Sequence, residues 1–159
     1  MRARDYGFSG DYGMKRIDTA HWFGLRIFPK DLFLFTNNPA DPLTYRAFDS
    51  TLYRPGATLE TDKGSIPPFL RIFIRPSAYE RAYIMHDYGY RHGGFLVQKI
   101  GENPGFVFIR ISRQEIDLLL REMILNSGSS RTKALAVHSG VKIGSGPAWR
   151  RHRAAEITE

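Results

Sequence analysis

Two stretches in the second half of the chain space their apolar residues like helices. From Ser77 to Arg91, Tyr79, Ala82, Tyr83, His86 and Tyr90 fall on one face at about 100° per residue, with Asp87 at its edge. Ser77 and Glu80 form a Ser-x-x-Glu capping box behind Pro76, which predicts a helix start there, and Gly93-Gly94 supply the stop. The same grammar recurs at Ser112 and Glu115, opening a helix that runs to about Asn126 ahead of Gly128. Ile116, Leu119, Leu120, Met123 and Ile124 set its buried stripe, and Asp117 projects beside Leu120 and Ile124, away from Glu115 and Glu122. An acid at the margin of a core stripe costs desolvation energy unless something donates to it. His86 and Tyr90 are the donors expected if the two helices pack side by side.

The rest of the pattern reads as short strands and turns. Met1 to Asp18 shows no sustained periodicity and is expected to be an irregular arm. Trp22 to Phe35 predicts two strands joined at Pro29-Lys30-Asp31, Leu43 to Arg54 a third strand, and Ala57 to Glu60 a short fourth. Phe95 to Ile100 and Phe106 to Ile111 flank a Gly- and Pro-bearing turn, a hairpin inserted between the two helices and placed where a lid or a partner-binding loop would sit. Phe69 to Arg75 fits a strand or a helical turn. Ser129-Ser130 caps a third helix over Arg131 to Ser139, which Gly140, Gly144 and Gly146 then break, leaving Trp149 as the last anchor. The expected fold is α+β: an N-terminal antiparallel sheet on a two-to-three-helix core. Its organisation is an arm at 1–20, one domain at 21–149 and a loose basic tail at 150–159.

Composition narrows the chemistry. The 159 residues include no cysteine, which removes disulfides, thiolate metal sites and thiol nucleophiles. No apolar run approaches the roughly 20 residues of a membrane helix, and the polar N-terminus predicts no signal peptide, so synthesis in a cytoplasm is expected. The net charge of +7 gathers around Arg71 to Arg91 and at Arg150-Arg151-His152-Arg153. Such a balance suits an anionic partner: nucleic acid, a phospholipid surface or an acidic protein face. No nucleic-acid recognition motif accompanies the charge, so specific nucleic-acid binding is not expected, and the tail suits at most nonspecific, salt-sensitive contact.

Thr61-Asp62-x-x-Ser65-Ile66-Pro67, His86-Asp87-Tyr88-x-Tyr90 and Ser112-Arg113-x-x-x-Asp117 together resemble an uncharacterised protein family found mainly in tailed bacteriophages and prophages. The likeness runs from about Leu52 to Trp149. It implies a phage-related protein, foremost a virion component of tail or baseplate whose partners are other phage structural proteins.

The helix pair also looks like the core of the phospholipases A2, with His-Asp-x-x-Tyr on one helix and a buried Asp on the next. That likeness implies a second role, a hydrolase acting on ester lipids of the host envelope. In it His86 would activate water, Tyr90 and Asp117 would orient His86, and Asp87 would bind calcium. With no glycine-rich calcium loop in view, Asp62 and the backbone around Gly64 are the remaining oxygen donors for that ion. Neither likeness decides whether His86 is a base or a hydrogen-bonded pin between two helices, and both readings stay open here.

Overall fold

The computed structural model describes residues 6–20, 30–61, 79–101, 105–144 and 146–156. In chain order its strands are β1 (Gly7–Ser9), β2 (Tyr12–Ala20), β3 (Lys30–Asn37), β4 (Thr44–Arg46), β5 (Thr51–Arg54), β6 (Thr58–Thr61), β7 (Gly94–Lys99) and β8 (Val107–Arg110). Its helices are α1 (Glu80–His92), α2 (Arg113–Asn126), α3 (Arg131–Gly144) and α4 (Gly146–Glu156). The strands pair antiparallel in two sheets, ordered β1-β4-β5-β7-β8 and β2-β3-β6. The class is α+β, as the sequence leads one to expect.

α1 is the hub. It packs against α2, α4, β6 and β7, and eight of its residues, Ala82 to His86 and Tyr88 to Tyr90, are buried. A single apolar face is what the spacing predicts, but a helix covered from several sides must be apolar nearly all round, as Ile84, Met85 and Tyr88 are. The core joins Phe35 of β3, Tyr45 of β4, Ile84 and Met85 of α1, Phe95 of β7 and Ile116, Leu120, Met123 and Ile124 of α2, each fully buried.

Two elements follow their local signals closely. Ser112 caps α2 in a reciprocal box, its Oγ accepting from the Glu115 N–H while the Glu115 carboxylate accepts from the Ser112 N–H. α1 ends at Gly93 in the left-handed region, φ 65°, whose N–H donates to the Gly89 carbonyl. The predicted hairpin at 95–111 also forms, as β7 and β8. It is no free lid: β7 lies inside the five-stranded sheet, between β5 and β8.

Other expectations are corrected. The expected arm is strand over residues 7–9 and 12–20, and β2 pairs with β3 along nearly its whole length. Lys30 and Asp31, read as a turn, belong to β3. The single strand expected from Leu43 to Arg54 is folded in two around Ala47–Ser50, where Ser50 adopts φ 67° and Asp49 Oδ1 accepts from the Thr51 N–H. α1 begins at Glu80 behind an N-cap, Tyr79, that makes no side-chain cap bond. Glu80 accepts from the Tyr12 hydroxyl of β2 at 2.9 Å. Gly140 does not break α3, which buries it and continues to Gly144. Of the tail read as loose, residues 150–156 belong to the helix α4. The predicted strand at Trp22 to Phe28, the stretch Phe69 to Arg75 and the cap residue Ser77 lie outside the described residues.

Candidate active site

The site begins with a glycine. A Cβ at Gly89 would stand 2.6 Å from Phe95 Cζ and 3.2 Å from Ile116 Cγ2, so the bare backbone at this point lets α1 press against both β7 and α2. That close approach, made at the residue next to Asp117, brings into reach His86, one turn earlier, and Tyr90, the next residue. His86 Nε2 lies 3.0 Å from Asp117 Oδ1, and the Tyr90 hydroxyl donates to the same oxygen at 2.5 Å. The imidazole and the phenol also lie against one another, tilted by 35°, with ring centroids 4.3 Å apart. All three residues are at least nine-tenths buried.

Burial alone would raise the Asp117 pKa. The hydrogen bonds from His86 and Tyr90, with the charges of His86 and Arg113, outweigh it, and the net shift is downward. An ionised carboxylate only accepts, so the proton on the His86–Asp117 line belongs to Nε2. Nδ1 is thereby left as the acceptor nitrogen, and it has no hydrogen-bond partner among the described residues. The side chain keeps a tenth of its surface exposed.

The second oxygen of Asp117 faces Arg113, whose Nε lies 3.7 Å away one turn earlier on α2. The Arg113 guanidinium also donates to the Lys142 carbonyl of α3 at 2.6 Å. His138 of α3 senses Asp117 as well. Burial pushes its pKa down, the Asp117 charge works the other way, and Arg121 and Lys142 add to the lowering.

Asp87, at the edge of the same helix face, accepts from the Thr61 hydroxyl at the end of β6. The Thr-Asp-x-x-Ser-Ile-Pro segment therefore meets the His-Asp-x-x-Tyr helix at its first residue. Asp62 and Gly64, the other implied calcium donors, lie outside the described residues. Asp87 is the one implied ligand on view and one of its oxygens is engaged. Among the described residues no group of three or more His, Cys, Asp or Glu could hold a metal ion.

α4 completes the surroundings. Trp149 packs edge-on against Tyr90, centroids 5.4 Å apart, and the Arg153 guanidinium donates to the carbonyls of Tyr90 at 3.1 Å and Arg91 at 2.5 Å. It thus satisfies carbonyls that the end of α1 leaves without intrahelical partners.

The structure brings together His86, Tyr90 and Asp117, as the sequence predicts, and sets Asp87 against Thr61. Sequence reasoning named Trp149 as an anchor and Arg113 within a motif without placing either at this site, and it missed the roles of Gly89 and Arg153. The i,i+4 spacing of Arg113 and Asp117 was a usable signal. Nothing in the local pattern marks Arg153 as a cap for a helix some sixty residues earlier.

A model of a family described as a protein of unknown function (DUF1353) matches residues 40–141. No curated protein and no solved structure matches the chain. The matched span holds His86, Asp87, Tyr90, Arg113 and Asp117 and leaves β1, β2, β3 and α4 outside it.

Proposed function

The chain belongs to the DUF1353 family of proteins of unknown function, and from that premise we propose that it is a phage-related hydrolase that uses His86 to activate water against an ester of the host envelope. The observation that carries this reading is the two-donor grip on Asp117: His86 and Tyr90, one turn apart on α1, share Oδ1 and leave Nδ1 as the basic nitrogen. Water held at Nδ1 loses a proton to the imidazole as its oxygen bonds to the ester carbon. Asp117 stabilises the imidazolium that forms, and the imidazolium returns the proton to the departing alkoxide. Tyr90 donates to the same carboxylate oxygen as His86, and Arg113 sets a positive charge against the other. The envelope substrate and the phage origin rest on motif resemblance alone.

His86→Gln is the discriminating variant, since its amide N–H replaces the Nε2 donor without supplying a base. Hydrolysis of phosphatidylglycerol vesicles, measured with calcium and with a chelator, is expected to fall about 100-fold or more while the melting temperature moves by only a few degrees. Equal activity in the variant would remove His86 from the chemistry. A wild type inactive on every ester tried, whose His86→Gln variant folds equally well, would leave the trio as a pin between helices.

A second reading, a virion component of tail or baseplate, is favoured by one observation. Among the described residues β8 is an edge strand on which Val107, Phe108 and Ile109 are all more than 40% exposed, with Ile100 at 55% nearby. An open apolar edge suits docking to other structural proteins. It predicts the chain in purified particles at a fixed copy ratio; its absence from particles would rule that role out.

A further inference from the structure

We infer that the Tyr83 hydroxyl is the donor that receives the carbonyl oxygen of the ester, a role that rests on the hydrolase reading. Tyr83 is 2% exposed, and its hydroxyl is buried without a hydrogen-bond partner among the described residues. It stands apart from the other tyrosines that are at least nine-tenths buried, Tyr45, Tyr88 and Tyr90. Tyr12 donates to Glu80, Tyr45 to Glu122 and Tyr90 to Asp117, and Tyr88 reaches the backbone at Gly56. A buried polar group left alone is destabilising, and phenylalanine would fill the same space without that cost.

The position is as informative as the vacancy. Tyr83, His86, Asp87 and Tyr90 stand at i, i+3, i+4 and i+7 on α1, one continuous face, so the unpaired hydroxyl shares the face of the proposed base. Asp87 and Tyr79 are its electrostatic neighbours. Burial, then Tyr79, then Asp87 push its pKa up, so the group remains an O–H donor across the working range of a protein.

In the reaction, the water oxygen bonds to the ester carbon and the carbonyl π pair moves onto oxygen, its proton having passed to His86. The negative oxygen takes the Tyr83 hydrogen bond. When the pair returns, the carbon–alkoxide bond breaks and the alkoxide takes the proton from His86, giving acid and alcohol. A donor waiting in a dry site needs no reorganisation as that charge develops.

Tyr83→Phe removes one oxygen atom and nothing else. With phosphatidylglycerol vesicles as substrate, kcat is expected to fall about 100-fold with a smaller change in KM, while the melting temperature stays level or rises. Wild-type activity with an equally active Tyr83→Phe would overturn the role of Tyr83 and leave the hydrolase reading standing. A Tyr83→Phe variant that melts well below wild type would overturn it too, because the hydroxyl would then be holding the fold. Absence of activity in the wild type would fell the hydrolase reading and this role with it.

Discussion

Asp117 is 2% exposed and ionised, a combination that depends on its three neighbours. His86 and Tyr90 donate to one oxygen and Arg113 faces the other. Because its folded pKa lies below the ordinary value of 3.8, the stability this carboxylate contributes is fully present above that value and is lost as the pH falls through the lower, folded one. Denaturant midpoints measured from pH 6 downward should therefore drop more steeply in the wild type than in Asp117→Asn. At neutral pH the variant should be weaker by about 2 kcal/mol, the worth of a charge-assisted hydrogen bond. Equal acid slopes would mean the group is not ionised in the fold. His86, Tyr90 and Asp117 were legible in the sequence because helical spacing put each on an inward face, where a polar group needs a partner. Tyr83 was legible as buried but not as unpaired, since pairing is settled by what surrounds a hydroxyl in space.

At the scale of elements, the distance between α1 and α2 is set at Gly89. A helical Gly→Ala change ordinarily stabilises by up to about 1 kcal/mol. Here the new methyl would press on the Phe95 ring and on Ile116, so the sign should reverse to a loss of about 1–3 kcal/mol. Phe95→Leu should recover part of the loss in a double-mutant cycle measured by chemical denaturation. Strict additivity of the two changes would show that the ring is not the obstacle. α2 and the stop of α1 could be read directly because their caps are local, Ser112 with Glu115 and Gly93 by itself. The start of α1 is less local, because Glu80 there accepts from Tyr12 of another strand, a partner that no local pattern marks. β2 was hidden for a related reason. Its alternation, half-buried Tyr12 and Met14 between exposed neighbours, is short and breaks at Lys15, Arg16 and Ile17, exposed in a row where the register shifts, and pairing with β3 holds it in place.

Over the whole molecule, the two ends of the chain serve its centre. β2 reaches the first turn of α1 through Tyr12, and α4 grips the last through Trp149 and Arg153. The basic cluster that charge alone assigns to an anionic partner is thus partly spent inside the fold, capping carbonyls. Arg153→Ala should lower stability by about 1 kcal/mol and speed hydrogen exchange in the last turn of α1. Exchange unchanged from wild type would show that the contact carries no weight. All three scales converge on the orientation of one imidazole ring, and nitrogen NMR of His86 reads it directly. In the neutral ring the account predicts a protonated Nε2, a bare Nδ1 and a loss of that preference in Asp117→Asn; a protonated Nδ1, or a tautomer indifferent to Asp117, would contradict it.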